Sequence, residues 1–277
     1  MENNADIFPN TGLSAGMICE KVVLVCGEDP DETVRALEAL GLKPRLIKTN
    51  REFHTYSVDG NGGGFTFCVT GIGSASVEIS VTELYKCGAR IFAHTGTCGS
   101  LSGAGRPGEV ALVEQALRFD GASFHYSPGT PGDAVAANPA HNRLAASAIK
   151  DARLRFISRD IISTDTFYCM GAGKDVDGKT VYPGVPLKKD FFPPPGYAAF
   201  KALLDSGKPY VIDMEAAAFL LICSAIDDEI FYVSLKGVSN SVPFEPGEQV
   251  AETGAALRAA LEASIAVIER AGSRSAS

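Results

Sequence analysis

Two rhythms of apolar and polar residues alternate along the chain. Short continuous apolar runs mark buried strands, and stretches with apolar residues three or four apart mark amphipathic helices. Lys21 to Cys26 encloses Val22-Val-Leu-Val25 and reads as a strand. It breaks at Gly27-Glu-Asp-Pro30, and Asp31 to Leu40 reads as a helix that Asp29 or Asp31 caps. Arg45 to Lys48 is a short strand. Phe53 to Val58 alternates, which predicts a hairpin with Phe65 to Val69 across the glycine-rich segment 59–64. Ser76 to Lys86 puts Val77, Val81 and Leu84 on one helical face. Further strands are expected at Arg90 to Ala93, Glu109 to Ala116, Arg155 to Ser163 and Ile230 to Val238. Further helices are expected at Ala140 to Ile149, from Glu215 onward, and at Glu252 to Arg270.

This succession predicts an α/β fold: one domain over residues 1–277, with a mixed sheet and helices on both faces. Residues 1–18 read as an extended N-terminal arm and 271–277 as a frayed tail. Residues 170–198, rich in glycine and proline, read as a long loop near a site or an interface.

Composition narrows the classes. The 277 residues are 45% hydrophobic and 21% charged, the balance of a globular enzyme. A net charge of −8 without a basic stripe argues against a nucleic-acid partner. No apolar run approaches a membrane span, and the acidic start lacks the regions of a secretory leader, so a cytoplasmic location is expected. Seven cysteines, an odd count without a Cys-x-x-Cys pair, suit buried reduced thiols. The four histidines lack metal-ligand spacing, and no metal or organic cofactor is expected.

Candidate chemistry lies at two glycine-bearing segments, each following an apolar run: Thr70-Gly-Ile-Gly73 and His94-Thr-Gly-Thr-Cys-Gly99. In open α/β sheets, ligands bind where strands end, and glycines let backbone approach them. Cys98 in the second segment is open to two readings, a thiolate nucleophile or a pocket-lining thiol. The lack of an evident histidine partner favours lining.

These segments, taken with Val211-Ile-Asp-Met-Glu-Ala-Ala217, resemble the nucleoside phosphorylase superfamily. Asp6-Ile-Phe8, Arg51-Glu-Phe53, Phe119-Asp-Gly-Ala-Ser-Phe-His-Tyr126 and Asp165-Thr-Phe-Tyr168 sharpen the likeness toward its uridine phosphorylase branch. The resemblance implies a partly barrel-like sheet and cleavage of a nucleoside's N-glycosidic bond, with inorganic phosphate as co-substrate. It implies that Glu215 grips the ribose hydroxyls, with Met214 packed under the sugar. Thr97 would serve both phosphate and ribose, and Gly27 would belong to the phosphate turn. Cys98, Gly99 and Phe167 would border the base. Arg51 would reach a neighbouring subunit's phosphate site, which implies a homodimer. Glu215, Arg51 and Thr97 form the implied catalytic set.

The sequence also departs from the family. One phosphate arginine of the family is missing after the turn Gly27-Glu-Asp-Pro30, where Glu32 stands near the expected place and Arg35 is the nearest substitute. A second arginine is replaced by His94, which is only partly charged near neutral pH and cannot form a guanidinium fork. Lys174 and Ala172 stand where the branch reads the uracil edge with Arg and Gln. Asn240 replaces the Asp that protonates purines in relatives of the same fold; it donates hydrogen bonds but is no general acid. The leading expectation is phosphorolysis of uridine to uracil and ribose 1-phosphate. Hydrolysis by water, a purine nucleoside phosphorylase, and a non-catalytic nucleoside-binding protein stay open.

Overall fold

The structure is a computed structural model that describes residues 7–60, 63–167, 196–242 and 253–275. Its elements in chain order are β1 (Lys21–Cys26), α1 (Pro30–Ala39), β2 (Arg45–Asn50), β3 (Phe53–Val58), β4 (Phe65–Thr70) and α2 (Ser74–Lys86). They continue with β5 (Ile91–Leu101), β6 (Val110–Phe119), α3 (Ser123–Tyr126), β7 (Ala134–Ala136), α4 (Pro139–Asp151) and β8 (Phe156–Thr164). The chain then forms α5 (Tyr197–Asp205), β9 (Val211–Asp213), α6 (Ala216–Ile226), β10 (Phe231–Val242) and α7 (Thr253–Ser275).

The strand runs VVLV and FTFCV are buried throughout, as continuous apolar runs require. The predicted hairpin forms, with β3 antiparallel to β4 and His54 opposite Val69. Asp29 caps α1 by accepting from the Glu32 amide at 2.9 Å, with Pro30 opening the helix.

The sheet runs β10-β6-β8-β9-β5-β1-β4-β3-β2, and β10 also pairs with β5. That last pairing closes β10, β6, β8, β9 and β5 into a ring, while β1, β4, β3 and β2 extend it as an open sheet. The expected mixed, partly barrel-like α/β fold is present. One layer of helices, α1, α4 and α7, packs together on one side; α2, α3 and α6 pack together on the other. Phe92 and Phe219 fill the core beneath the second layer, Phe67 and Leu261 that beneath the first. Each such buried side chain contributes about 1.5–3 kcal/mol.

Three expectations are corrected. The segment His94 to Leu101 is not a turn: β5 runs through it, because β10 pairs alongside from Ile91 to Leu101. β10 likewise continues through Ser239-Asn240-Ser241, with an irregularity between Val238 and Asn240. The end of the chain is not frayed from residue 271, since α7 extends to Ser275 and buries Ala271. The N-terminal segment packs against the body over its described part. Thr11 is fully buried and gives both its amide and its hydroxyl to the Glu83 carboxylate, each at 2.8 Å. The proposed loop lies almost entirely outside the described residues. Among those described, no helix is long and apolar enough to cross a membrane.

Candidate functional site

β5 is the strand that makes the site. On one edge its first half, Ile91 to Thr95, pairs with β1, and further along Gly99 and Ser100 pair with β9. Between them, residues 96–98 have no strand partner on that edge. A cavity of about 440 Å3 opens there, at the carboxyl ends of β1, β4 and β8. This is where an α/β sheet offers a crevice. Gly27, Glu28, Ile72, Thr97, Cys98 and Gly99 line it, facing Phe167, Asp213, Met214, Glu215 and Asn240.

Glu215 sits at the junction of β9 and α6, and is buried. Its Oε1 accepts from the Gly73 amide at 2.9 Å, and its Oε2 accepts from the Met214 amide at 3.2 Å. Gly73 holds a left-handed φ of 95° at the start of α2, and this turn aims its amide at the carboxylate. The first glycine segment therefore serves the acid at 215 rather than only the backbone turn.

The charge on that acid is answered by Lys236. Lys236 lies on β10, in register with Gly96, and is fully buried. Its ammonium lies 3.1 Å from Asp213 Oδ2 and 3.4 Å from Glu215 Oε2. Burial opposes its charge, but the two carboxylates outweigh that and hold its pKa above the ordinary lysine value. Asp213 also accepts from the Ala216 amide and so caps α6. One cation cannot neutralise two carboxylates. Burial, and then the Asp213 charge, push Glu215 above the ordinary glutamate range, against the pull of Lys236.

Thr97 donates its amide to Glu28 Oε1 at 2.6 Å. Glu28 follows Gly27, whose left-handed φ of 72° turns the chain back over the strand ends. Burial raises the Glu28 pKa, and the bonds from Thr97 partly offset this. Asp165, two residues before Phe167, accepts from the Ser74 hydroxyl at 2.8 Å and the Gly121 amide at 2.6 Å. Asn240 accepts from the Ser239 hydroxyl and donates to the Ser241 carbonyl.

Cys98 lines the cavity, but burial pushes its thiol well above the ordinary cysteine range. A thiolate nucleophile is thus disfavoured there.

His94 requires a correction. It does not line the cavity. It is fully buried, stacks on Phe219 at 4.7 Å between ring centres, and bonds Ser234 through Nδ1 at 2.9 Å. Burial, then the Lys236 charge, drive its pKa well below the ordinary value, so it is neutral and not a phosphate cation. One of its nitrogens lies with the carboxylates of Asp213 and Glu215, all within 4.8 Å, a spacing that would suit a metal ion. The Lys236 ammonium already gives those carboxylates their cation.

Arg51 lies in the turn between β2 and β3 at a left-handed φ of 51°, exposed and away from its own chain's cavity. Arg35 is exposed on α1, and Glu32 does not line the cavity. Lys174 and Ala172 fall outside the described residues.

Sequence reasoning missed Lys236 and Glu28. The signal for Lys236 was a lysine inside the apolar run Ile230 to Val238. A buried ammonium there demands a carboxylate partner.

Residues 21–272 match the family model described as Phosphorylase superfamily. The chain belongs to this superfamily. Uridine phosphorylase of Escherichia coli (strain K12) is 33% identical over 126 residues, 46% of this chain and 49% of the relative. Uridine phosphorylase of Haemophilus influenzae is 36% identical over 100 residues, 36% of this chain and 39% of the relative. Guanosine phosphorylase of Halorubrum lacusprofundi is 35% identical over 81 residues, 29% of this chain and 34% of the relative. The chain spans about half the length or less of these curated relatives. In this member of the Phosphorylase superfamily, a buried lysine sits in the strand ring and a glutamate bonds the Thr97 amide.

Proposed function

We propose that this protein cleaves the N-glycosidic bond of a nucleoside and passes the ribosyl group to phosphate, with uridine as the substrate. The observation that carries the reading is the Glu215 carboxylate. It is buried at the cavity wall and fixed by the Gly73 amide and Lys236, beside Met214 and opposite Thr97. A fixed carboxylate can accept both ribose hydroxyls while Met214 packs against the sugar. Loss of the base leaves positive charge on the ribosyl ring. Glu215, Asp213 and Glu28 around one ammonium make a negative setting that favours this charge as it develops. Preorganised electrostatics of this kind supply the largest share of many enzymatic accelerations.

In this reading Phe167, Cys98 and Gly99 border the base, and Asn240 offers a hydrogen bond to it. Lys174 is assigned the role of the branch's arginine from its place in the sequence alone. Thr97 and Gly27 receive the phosphate, and Arg51 completes that site in the other subunit of a homodimer. The choice of uridine draws on the printed names of the similar uridine phosphorylases and on the motif likeness. Asn240 in place of an acid favours a base that leaves without general-acid help at that position.

Hydrolysis is the second reading. It is favoured by one observation: no arginine lines the described part of the cavity. Incubation with uridine, thymidine and inosine, each with and without phosphate, separates the readings. Phosphate-dependent release of uracil with ribose 1-phosphate supports the proposal. Equal release of free ribose without phosphate moves the protein to the hydrolases.

A further inference from the structure

The amide of Thr97 belongs to the stretch of β5 that lacks a strand partner on its cavity edge, so it is a donor open to a ligand. That donor is taken. Glu28 Oε1 lies 2.6 Å from it. A carboxylate of the chain thus occupies the donor that an oxyanion would need.

We propose that Glu28 is an internal anion that sets the affinity for phosphate: phosphate reaches Thr97 only by displacing this carboxylate. The inference rests on the reading of Thr97 as the phosphate seat. It adds a residue that governs the co-substrate rather than the nucleoside.

Three features support it. Gly27 turns the chain with a left-handed φ, and this turn brings Glu28 over the middle of β5, at Thr97. Gly96 makes room for the carboxylate. A Cβ there would lie 3.4 Å from Glu28 Oε1 and 3.4 Å from the Lys236 ammonium. The remaining charges nearby are unfavourable to a dianion. Asp213 and Glu215 already claim Lys236, and no lysine or arginine lines the described cavity. With Glu28 charged and in place, phosphate meets like charge and finds its donor bonded. With Glu28 withdrawn, the Thr97 amide is released.

Glu28→Ala and Glu28→Gln test this, read by calorimetric titration with inorganic phosphate and by the phosphate KM for uridine cleavage. Glu28→Ala empties the seat and is expected to tighten phosphate at least tenfold. Glu28→Gln removes the charge but keeps an acceptor for the Thr97 amide, and is expected to tighten it by a smaller factor. The glutamine variant is near-isosteric, so it reports even if the alanine variant unfolds. Unchanged or weaker phosphate binding in the folded variants overturns the proposal. Phosphate-independent release of ribose by the wild type, lost in both variants, also overturns it, since Glu28 would then act on water. If phosphate binding tightens while no nucleoside is cleaved by any form, the inference stands and the cleavage reading falls.

Discussion

Lys236 Nζ lies 3.1 Å from Asp213 Oδ2, with 0% and 1% of the two side chains exposed. Glu215 shares the same ammonium at 3.4 Å. The pair ties β10 to the β9–α6 junction, and so holds the Glu215 carboxylate in place. Removing one member of a buried pair leaves the other uncompensated, at a cost of about 3–5 kcal/mol. Lys236→Met is expected to lose about that much stability in urea unfolding. A midpoint equal to the wild type's would show that the ammonium is not what holds these carboxylates.

Gly96 stands beside Lys236 in the sheet register and has a φ of 148°. A Cβ there would approach the Cys26 carbonyl oxygen to 2.8 Å. Gly96→Ala is expected to cost about 1–3 kcal/mol from strain and overpacking. The thermal midpoint of the variant checks this. Full retention would mean that β1 and β5 can separate at little cost.

How much of this was legible beforehand differs between elements. β1 and the β3–β4 hairpin were readable because their apolar runs and turn residues are local signals. The course of β5 was not. Gly96 and Gly99 look like a break, and only pairing with β10, more than a hundred residues away, keeps the strand extended. Glu215 and Met214 were found through a motif that places them together. Lys236 and Glu28 act through partners distant in sequence: Asp213 and Glu215 for one, Thr97 for the other. His94 was assigned a charge from its position alone. Its burial against Phe219 removes that charge, and burial is a property of the packed sheet rather than of the segment.

That buried histidine makes stability depend on pH. In the unfolded chain a histidine takes a proton near pH 6.5, whereas His94 in the fold takes one only at much lower pH. Below pH 6.5 the unfolded state therefore binds more protons, and this contribution to stability falls as pH falls. The slope is up to about 1.4 kcal/mol per pH unit for each such group. His141, lowered by burial, acts in the same direction. Glu28 and Glu215 act oppositely. Their folded pKa values are raised, so their contribution is lost as pH rises from about 4.5 through those values. The histidine effect is isolated by comparing wild type with His94→Gln in denaturant unfolding between pH 5 and pH 7. The variant is expected to lose part of the acid-side decline; identical curves would contradict a neutral His94.

Cys98 is expected to behave as a lining thiol. Because burial holds it protonated, iodoacetamide at pH 7.5 should leave it unmodified in the folded protein, as mass spectrometry would report. Cys98→Ala should keep turnover within about tenfold, whereas loss of a covalent nucleophile costs orders of magnitude more. A collapse of turnover would return the thiolate reading.

In the proposed function Glu215 holds the ribosyl group through bond cleavage. Glu215→Gln keeps the shape of the side chain and removes its charge. Its most direct test is uracil release from saturating uridine and phosphate by this variant and by wild type, followed by chromatography. Wild type is expected to release uracil, and the variant to show a kcat lower by about 10²–10³-fold, the scale of losing one electrostatic contact to a transition state. Equal rates in the two proteins would contradict it.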